Sequence, residues 1–189
     1  MKAYALGAAI GVGVLATSLA AQPPALPPGW MQTGDAQTCE DKVVPATGAP
    51  SARVFSLDCK PGTKGFTSLM QMIASTDYAG KRVRLSARLR GDQLAEWGGL
   101  WMRADSGQKA TAFDNMWDRQ LQGSFGWRPA EVVLDIPADA TALSFGFLLT
   151  GAGQLQATDF QLDVVSSAVP TTGQGARVLP SQPSHLTPP

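Results

Sequence analysis

Apolar and polar residues alternate with a period of two through most of the middle of this chain, the period of half-buried strands. The segment KRVRLSARLR, residues 81–90, is the clearest case. Val83, Leu85, Ala87 and Leu89 point one way, and Arg82, Arg84, Ser86, Arg88 and Arg90 point the other. A helix would spread those arginines around its circumference. GLWMRA puts Leu100, Met102 and Ala104 on one face, with Trp101 and Arg103 opposite. EVVLDI turns Val132, Leu134 and Ile136 inward, and ALSFGFLLTG does the same with Leu143, Phe145, Phe147 and Leu149. In QLQATDFQLDVV the parity changes: Leu155 and Ala157 hold one phase, and Phe160, Leu162 and Val164 hold the other. One extra residue near Thr158 and Asp159 would restore the inward direction, so a β-bulge is expected there. GWMQTG, ARVFSLDC and TSLMQMIA supply the earlier strands. About eight or nine short strands with no long helical pattern predict an all-β fold, an antiparallel two-sheet sandwich.

The two ends of the chain read differently. Lys2, an uncharged run from Ala3 to Leu15, and then ATSLAAQ form the pattern of a secretory signal over residues 1–21. Cleavage before Ala21 and cleavage before Gln22 both suit the small residues present, which favour removal over retention as a membrane anchor. No cysteine stands at the junction to carry a lipid. Residues 22–29, QPPALPPG, predict an extended proline-rich leader, and residues 30–165 form the sandwich domain. Residues 166–189, rich in Pro, Gly, Ser and Thr, predict a disordered tail. The expected location is the periplasm or the medium. In that compartment an even pair of cysteines, Cys39 and Cys59, predicts a disulfide. A metal-binding pair would need a second pair or a nearby histidine.

Composition narrows the partners. The 15 basic and 15 acidic residues balance. Loss of Lys2 with the signal leaves 14 against 15, a net charge of about −1. Nothing in that balance draws the mature chain to nucleic acid or to an anionic membrane. Small molecules, a glycan and other proteins, an envelope protein among them, remain as partners, with no membrane insertion once the signal is removed. The arginine row on 81–90 reads as a solvated face that discourages edge pairing; on a concave face it could instead take an acidic glycan.

Catalytic chemistry lacks its usual parts. The only histidine is His185, in the predicted tail, so a Ser-His-Asp or Cys-His system has no base. A zinc site would need histidines or several cysteines, and no Gly-rich phosphate loop is present. Asp105, Asp114, Asp118, Glu96 and Glu131 could supply the two carboxyl groups of a glycoside hydrolase, but sequence does not pair any two of them. Asp105, Asp114 and Asp118 could also supply oxygens to a structural calcium, although no recognisable loop spacing links them. The expectation is a protein that is not an enzyme and holds no cofactor or metal.

The densest polar stretch is AFDNMWDRQ, residues 112–120, in the long connection between the strands ending near Ala104 and starting near Ala130. Two readings stand. In the first, Asp114 and Asn115 fold onto backbone amides, Asn115 being a residue that tolerates the left-handed conformation, and Arg119 pairs with Asp114 or Asp118. Phe113 and Met116 then plug this latched loop into the sandwich. In the second, Trp97, Trp101, Trp117 and Trp127 belong to a ligand site, indole faces taking the C–H faces of sugars while polar neighbours take hydroxyls. The candidate ligand-binding residues are Trp101, Arg103, Asp114, Asn115, Trp117 and Arg119.

GFTSLMQMIAS, YAGKRVRLSARLR, GLWMRAD, AFDNMWDRQLQGSFGW and VVLDIPADATALSFGFLLTGAGQLQATDFQLDVV together carry a family likeness. Over residues 65–165 the chain resembles a bacterial jelly-roll domain of the galactose-binding-like, carbohydrate-binding-module-like kind. Members occur in exported proteins, alone or beside other modules, and some are fused to a helix-turn-helix segment of a transcriptional regulator. The resemblance implies a jelly-roll sandwich and a non-catalytic binding role, with carbohydrate as the preferred class. A structural or protein-interaction domain of the cell envelope without a small-molecule site is the alternative. The chain departs from the family in its last strand, where an aromatic and paired acids give way to Leu155-Gln156-Ala157-Thr158-Asp159, with Asp159 the single acid.

Overall fold

The computed structural model describes residues 25–45, 48 and 51–173. The predicted signal, the first leader residues and residues 174–189, His185 among them, lie outside the described residues. The strands are β1 (Met31–Gly34), β2 (Cys39–Pro45), β3 (Arg53–Cys59), β4 (Phe66–Ala74), β5 (Arg82–Ser106), β6 (Lys109–Asp114), β7 (Leu121–Asp135), β8 (Ala142–Thr150) and β9 (Gly153–Val165). A short 3-10 turn, Trp117–Arg119, joins β6 to β7. Every strand pairing is antiparallel.

Strand β5 organises the molecule. Its residues 82–92 pair with β9 on one side and with β7 on the other, whereas residues 97–106 pair with β8 and β6. Two layers therefore share β5: β2-β3-β9-β5-β7 and β1-β4-β8-β5-β6. The architecture is an antiparallel two-sheet jelly-roll sandwich, with nine strands among the described residues. The sequence predicts separate strands at 81–90 and 99–104, but the chain makes one. Register shifts against β7 after Leu89, Gly91 and Leu94 mark the bend. Gln93 sits there at φ 52°, the kind of local irregularity that turns a strand between sheets.

The alternation predicted from sequence sets the core. Val83, Leu85 and Leu89 of one layer meet Leu100, Met102, Phe147 and Leu149 of the other in a single cluster, all with no exposed surface. The predicted bulge is present. Ser86 opposes Gln161 and Arg88 opposes Thr158, so β9 carries one residue more, and Asp159 adopts φ 56°. Cys39 and Cys59 face each other across β2 and β3 and form the predicted disulfide.

Three expectations are corrected. The connection between Ala104 and Ala130 is mostly strand: β5 continues to Ser106, β6 follows, and β7 starts at Leu121. In β7 half-buried and exposed residues alternate, but Gly123, Gly126 and Pro129 give the stretch the composition of a loop. Strand β2 was not expected, because Glu40, Asp41 and Lys42 hide its alternation at the sheet edge. The packed chain also runs past the predicted boundary at 165. Arg82 Nη1 donates to the carbonyls of Ser167 (2.7 Å) and Val169 (2.5 Å), and Thr172 N–H donates to Val133 O at 3.0 Å. The polar composition of this segment conceals that its backbone finds partners on β5 and β7. In the arginine row, Arg82 forms a two-pronged pair with Asp135 and Arg84 approaches Asp163 at 3.4 Å. Arg88 Nη2 donates to Trp127 O at 3.3 Å.

Candidate functional site

Because Leu100 and Met102 point into the sandwich, Trp101 must point out, onto the open face of the β1-β4-β8-β5-β6 layer. Its register partner is Gly146 on β8, and Gly146 in turn opposes Met70 on β4. The indole crosses β8, where Gly146 presents no side chain, and Nε1–H donates to Ser68 Oγ on β4 at 2.8 Å. Ser68 Oγ then donates to Phe147 O at 2.9 Å. Trp101 is thus tied across the sheet to β4 and buried there. Trp97, Trp101 and Leu148 pack into a cluster of their own, separate from the interior core, with Met70 against it.

This cluster is the floor of a groove of about 540 Å³. Phe66, Phe113 and Trp117 form its walls, 41%, 51% and 66% exposed. Trp117 stands edge-on to Trp97, ring centroids 5.6 Å apart. Thr33, Arg103, Asn115 and Thr150 supply polar groups. Arg103 Nε donates to Asp105 at 3.0 Å, which anchors the guanidinium at the groove and keeps Asp105 turned to it. No carboxylate lines the groove among the described residues.

The loop that presents Trp117 is held by a dense polar node. Asp114 is buried, and its Oδ1 accepts the Met116 N–H at 2.8 Å and Arg119 Nη1 at 3.2 Å. Its Oδ2 accepts Arg119 Nη2 and the Thr172 hydroxyl, at 2.5 and 2.7 Å. Arg119 also donates to Asp118 (2.8 Å) and to the carbonyls of Thr172 (3.2 Å) and Glu131 (3.3 Å). Burial works against the charge of the Arg119 guanidinium, but hydrogen bonds and attraction from Asp114, and then Asp118, outweigh it and hold the group above the usual arginine range. Asn115 Oδ1 accepts the Trp117 N–H at 3.2 Å.

Of the six candidate residues, Trp101, Arg103, Asn115 and Trp117 line the groove. Asp114 and Arg119 lie outside it and latch the loop, as the first of the two sequence readings has them. The left-handed residue is Met116, φ 63°, rather than Asn115. Met116 is buried, with Sδ accepting the Leu100 N–H at 3.2 Å, so its side chain anchors the loop as expected. Phe113 does not plug into the sandwich: it opposes Arg103 in register and faces the groove. Trp127 sits on β7, away from the groove. Sequence reasoning missed Phe66, Met70 and Leu148, whose outward parity on β4 and β8 was the available signal. Trp97 lies in the bend of β5, where alternation fails.

The comparisons with known proteins bear on this geometry. No family model matches the chain. A stretch of 108 residues, 57% of the chain, is 35% identical to the uncharacterized HTH-type transcriptional regulator YbfP of Bacillus subtilis (strain 168). The match spans only 37% of that regulator's length. Among solved structures, the family 22 carbohydrate binding module of Clostridium thermocellum Xyn10B superposes with TM-score 0.52 at 10% identity, over 76% of this chain and 89% of that one. The chain shares the fold of a carbohydrate-binding module. The CBM22-1 xylan-binding domain of Paenibacillus barcinonensis Xyn10C gives TM-score 0.50 at 10% identity, over 74% and 87%. The enzymatically active domain of bacteriophage CBA120 tailspike protein 4 gives 0.58 at 12% identity, over 73% of this chain and 20% of that one. At such identities the likeness is one of fold, and fold by itself leaves function open.

Proposed function

We propose that this domain is a non-catalytic carbohydrate-binding module and that the aromatic groove on its β1-β4-β8-β5-β6 face takes a glycan. The observation that carries the reading is Trp117, 66% exposed over a floor made by two other indoles. A large apolar ring held in water is stabilised when a ligand covers it, and the C–H face of a sugar ring is a suitable cover. Trp97 and Trp101 offer an apolar floor, while Asn115, Thr33, Thr150 and Arg103 offer partners for hydroxyl groups. A glycoside hydrolase would need two carboxyl groups facing each other across the sugar, and among the described residues that line the groove there is no carboxylate. The disulfide fits an oxidising compartment, consistent with export to the periplasm or beyond.

Affinity gel electrophoresis and calorimetry against a panel of plant and bacterial polysaccharides test the reading. We expect the wild-type protein to bind at least one of them. Trp117→Ala should weaken that binding at least about ten-fold while the melting temperature moves by less than about 2 °C, because the ring contributes little to the fold. Failure of the wild type to bind any glycan, with capture of an envelope protein lost on Trp117→Ala, would instead favour the protein-interaction role.

A further inference from the structure

We infer that Thr172, from the segment that follows the last strand, is a positioning residue for the groove: it closes the polar node that holds Trp117 in place. The inference rests on the reading of the groove as the binding site. After β9 the chain turns back, with Val169 N–H donating to Ser166 O at 3.0 Å, and runs along β7. Arg82 fastens the start of this strap through the carbonyls of Ser167 and Val169. At the far end Thr172 pairs with β7 in both directions: its N–H donates to Val133 O at 3.0 Å, and its Oγ1 accepts the Val133 N–H at 2.7 Å. The strap thereby covers part of the outer edge of β7.

The Thr172 hydroxyl has a second task. Its proton goes to Asp114 Oδ2 at 2.7 Å, while its carbonyl accepts Arg119 Nη1 at 3.2 Å. Gly173 fits closely against the same loop; a Cβ there would come within 3.2 Å of Asp114 Cβ and 3.4 Å of Phe113 O. Asp114 and Arg119 bracket Trp117 in sequence. Asp114 fixes Met116, the residue before it, and Arg119 N–H donates to Met116 O at 2.9 Å to close the turn. The wall of the groove is therefore set on one side by β5 and on the other by a strap some fifty residues further along the chain, the Arg119 and Thr172 contact having a sequence separation of 53. No strap residue lines the groove among the described residues, so the strap acts on a ligand through the loop it packs against, the Asp114 and Arg119 node above all.

The test uses the full chain labelled with fluorotryptophan, in which Trp117→Phe assigns the Trp117 fluorine resonance. Thr172→Val keeps the shape of the side chain and removes both hydroxyl bonds; Thr172→Ser restores them. We expect Thr172→Val to broaden or shift the Trp117 resonance while the buried Trp101 resonance stays, and to weaken glycan binding about two- to ten-fold, the worth of one or two hydrogen bonds. Thr172→Ser should recover both. In a Trp117→Ala background Thr172→Val should cause no further loss of affinity. An unchanged Trp117 resonance overturns the inference, as does an equal movement of all the indole signals with a fallen melting temperature, which marks Thr172 as a general stabiliser. If the wild type binds no glycan while the Trp117 resonance still answers to Thr172→Val and recovers with Thr172→Ser, the positioning role stands and the carbohydrate reading fails.

Discussion

Asp114 and Arg119 look alike to a reader of the sequence and to a ligand, both being charged groups in a nine-residue stretch with an exposed tryptophan. What separates them from Trp117 is burial. The Asp114 side chain is 4% exposed, and each of its oxygens accepts two hydrogen bonds from groups of the protein itself. Removing its cation leaves a desolvated carboxylate with a lost partner, which costs far more than an exposed pair contributes. Arg119→Met should therefore destabilise the domain by about 1.5–3 kcal/mol, the range for hydrogen bonds to a charged group. Asp118→Asn, at a side chain 48% exposed, should change stability by less than about 0.5 kcal/mol. Urea titrations of the two variants check the contrast, and equal losses would refute the assignment of the latch to Asp114.

At the scale of the element, the continuous course of β5 through both layers decides the architecture. Its bend relies on residues that can be crowded from above. At Gly98 a Cβ would stand 2.7 Å from Leu155 Cδ2 and 3.0 Å from Leu148 O, and Leu155 is fully buried with no room to retreat. Gly98→Ala should cost about 1–3 kcal/mol through overpacking, and it should disturb the groove because Trp97 is its neighbour in the chain. Thermal unfolding together with the fluorescence of the variant reads both effects. Gly107 is the control, since a Cβ there meets nothing within 4 Å. Its φ of 61° still penalises alanine, so the informative quantity is the change in groove fluorescence, expected only at Gly98.

For the molecule as a whole, part of the acid stability follows from the carboxylate that Arg82 holds. The Asp135 carboxyl lies below its ordinary range because Arg82 hydrogen-bonds it, with attraction from the same guanidinium adding to this and slight burial opposing it. A lowered value in the folded state means the contribution is present above the unfolded value, about 3.9, and lost as pH falls through the folded one. Denaturant midpoints should stay level from pH 7 to about 5 and decline below about pH 4, and Asp135→Asn should flatten part of that decline. The size should be modest and diminish in salt, because the Asp135 side chain is 64% exposed. Sequence alone determined the parts that depend on neighbours in the chain: alternation fixed which residues of 81–90, 99–104, 131–136 and 142–151 point inward, the change of phase in β9 required a bulge, and an even pair of cysteines predicted a disulfide. These are local rules, since a strand's parity is set by its own backbone. The tertiary structure decided everything that needs distant segments to meet. Trp101 shows an outward parity in the sequence, but only the register of β4, β8 and β5 lays it over Gly146 and onto Ser68. Which tryptophans are covered and which is left in water, the separation of Asp114 and Arg119 from the groove, and the return of Thr172 to the loop all arise from packing between segments tens of residues apart. No periodicity encodes that, because burial belongs to the assembled sandwich and not to any stretch of it.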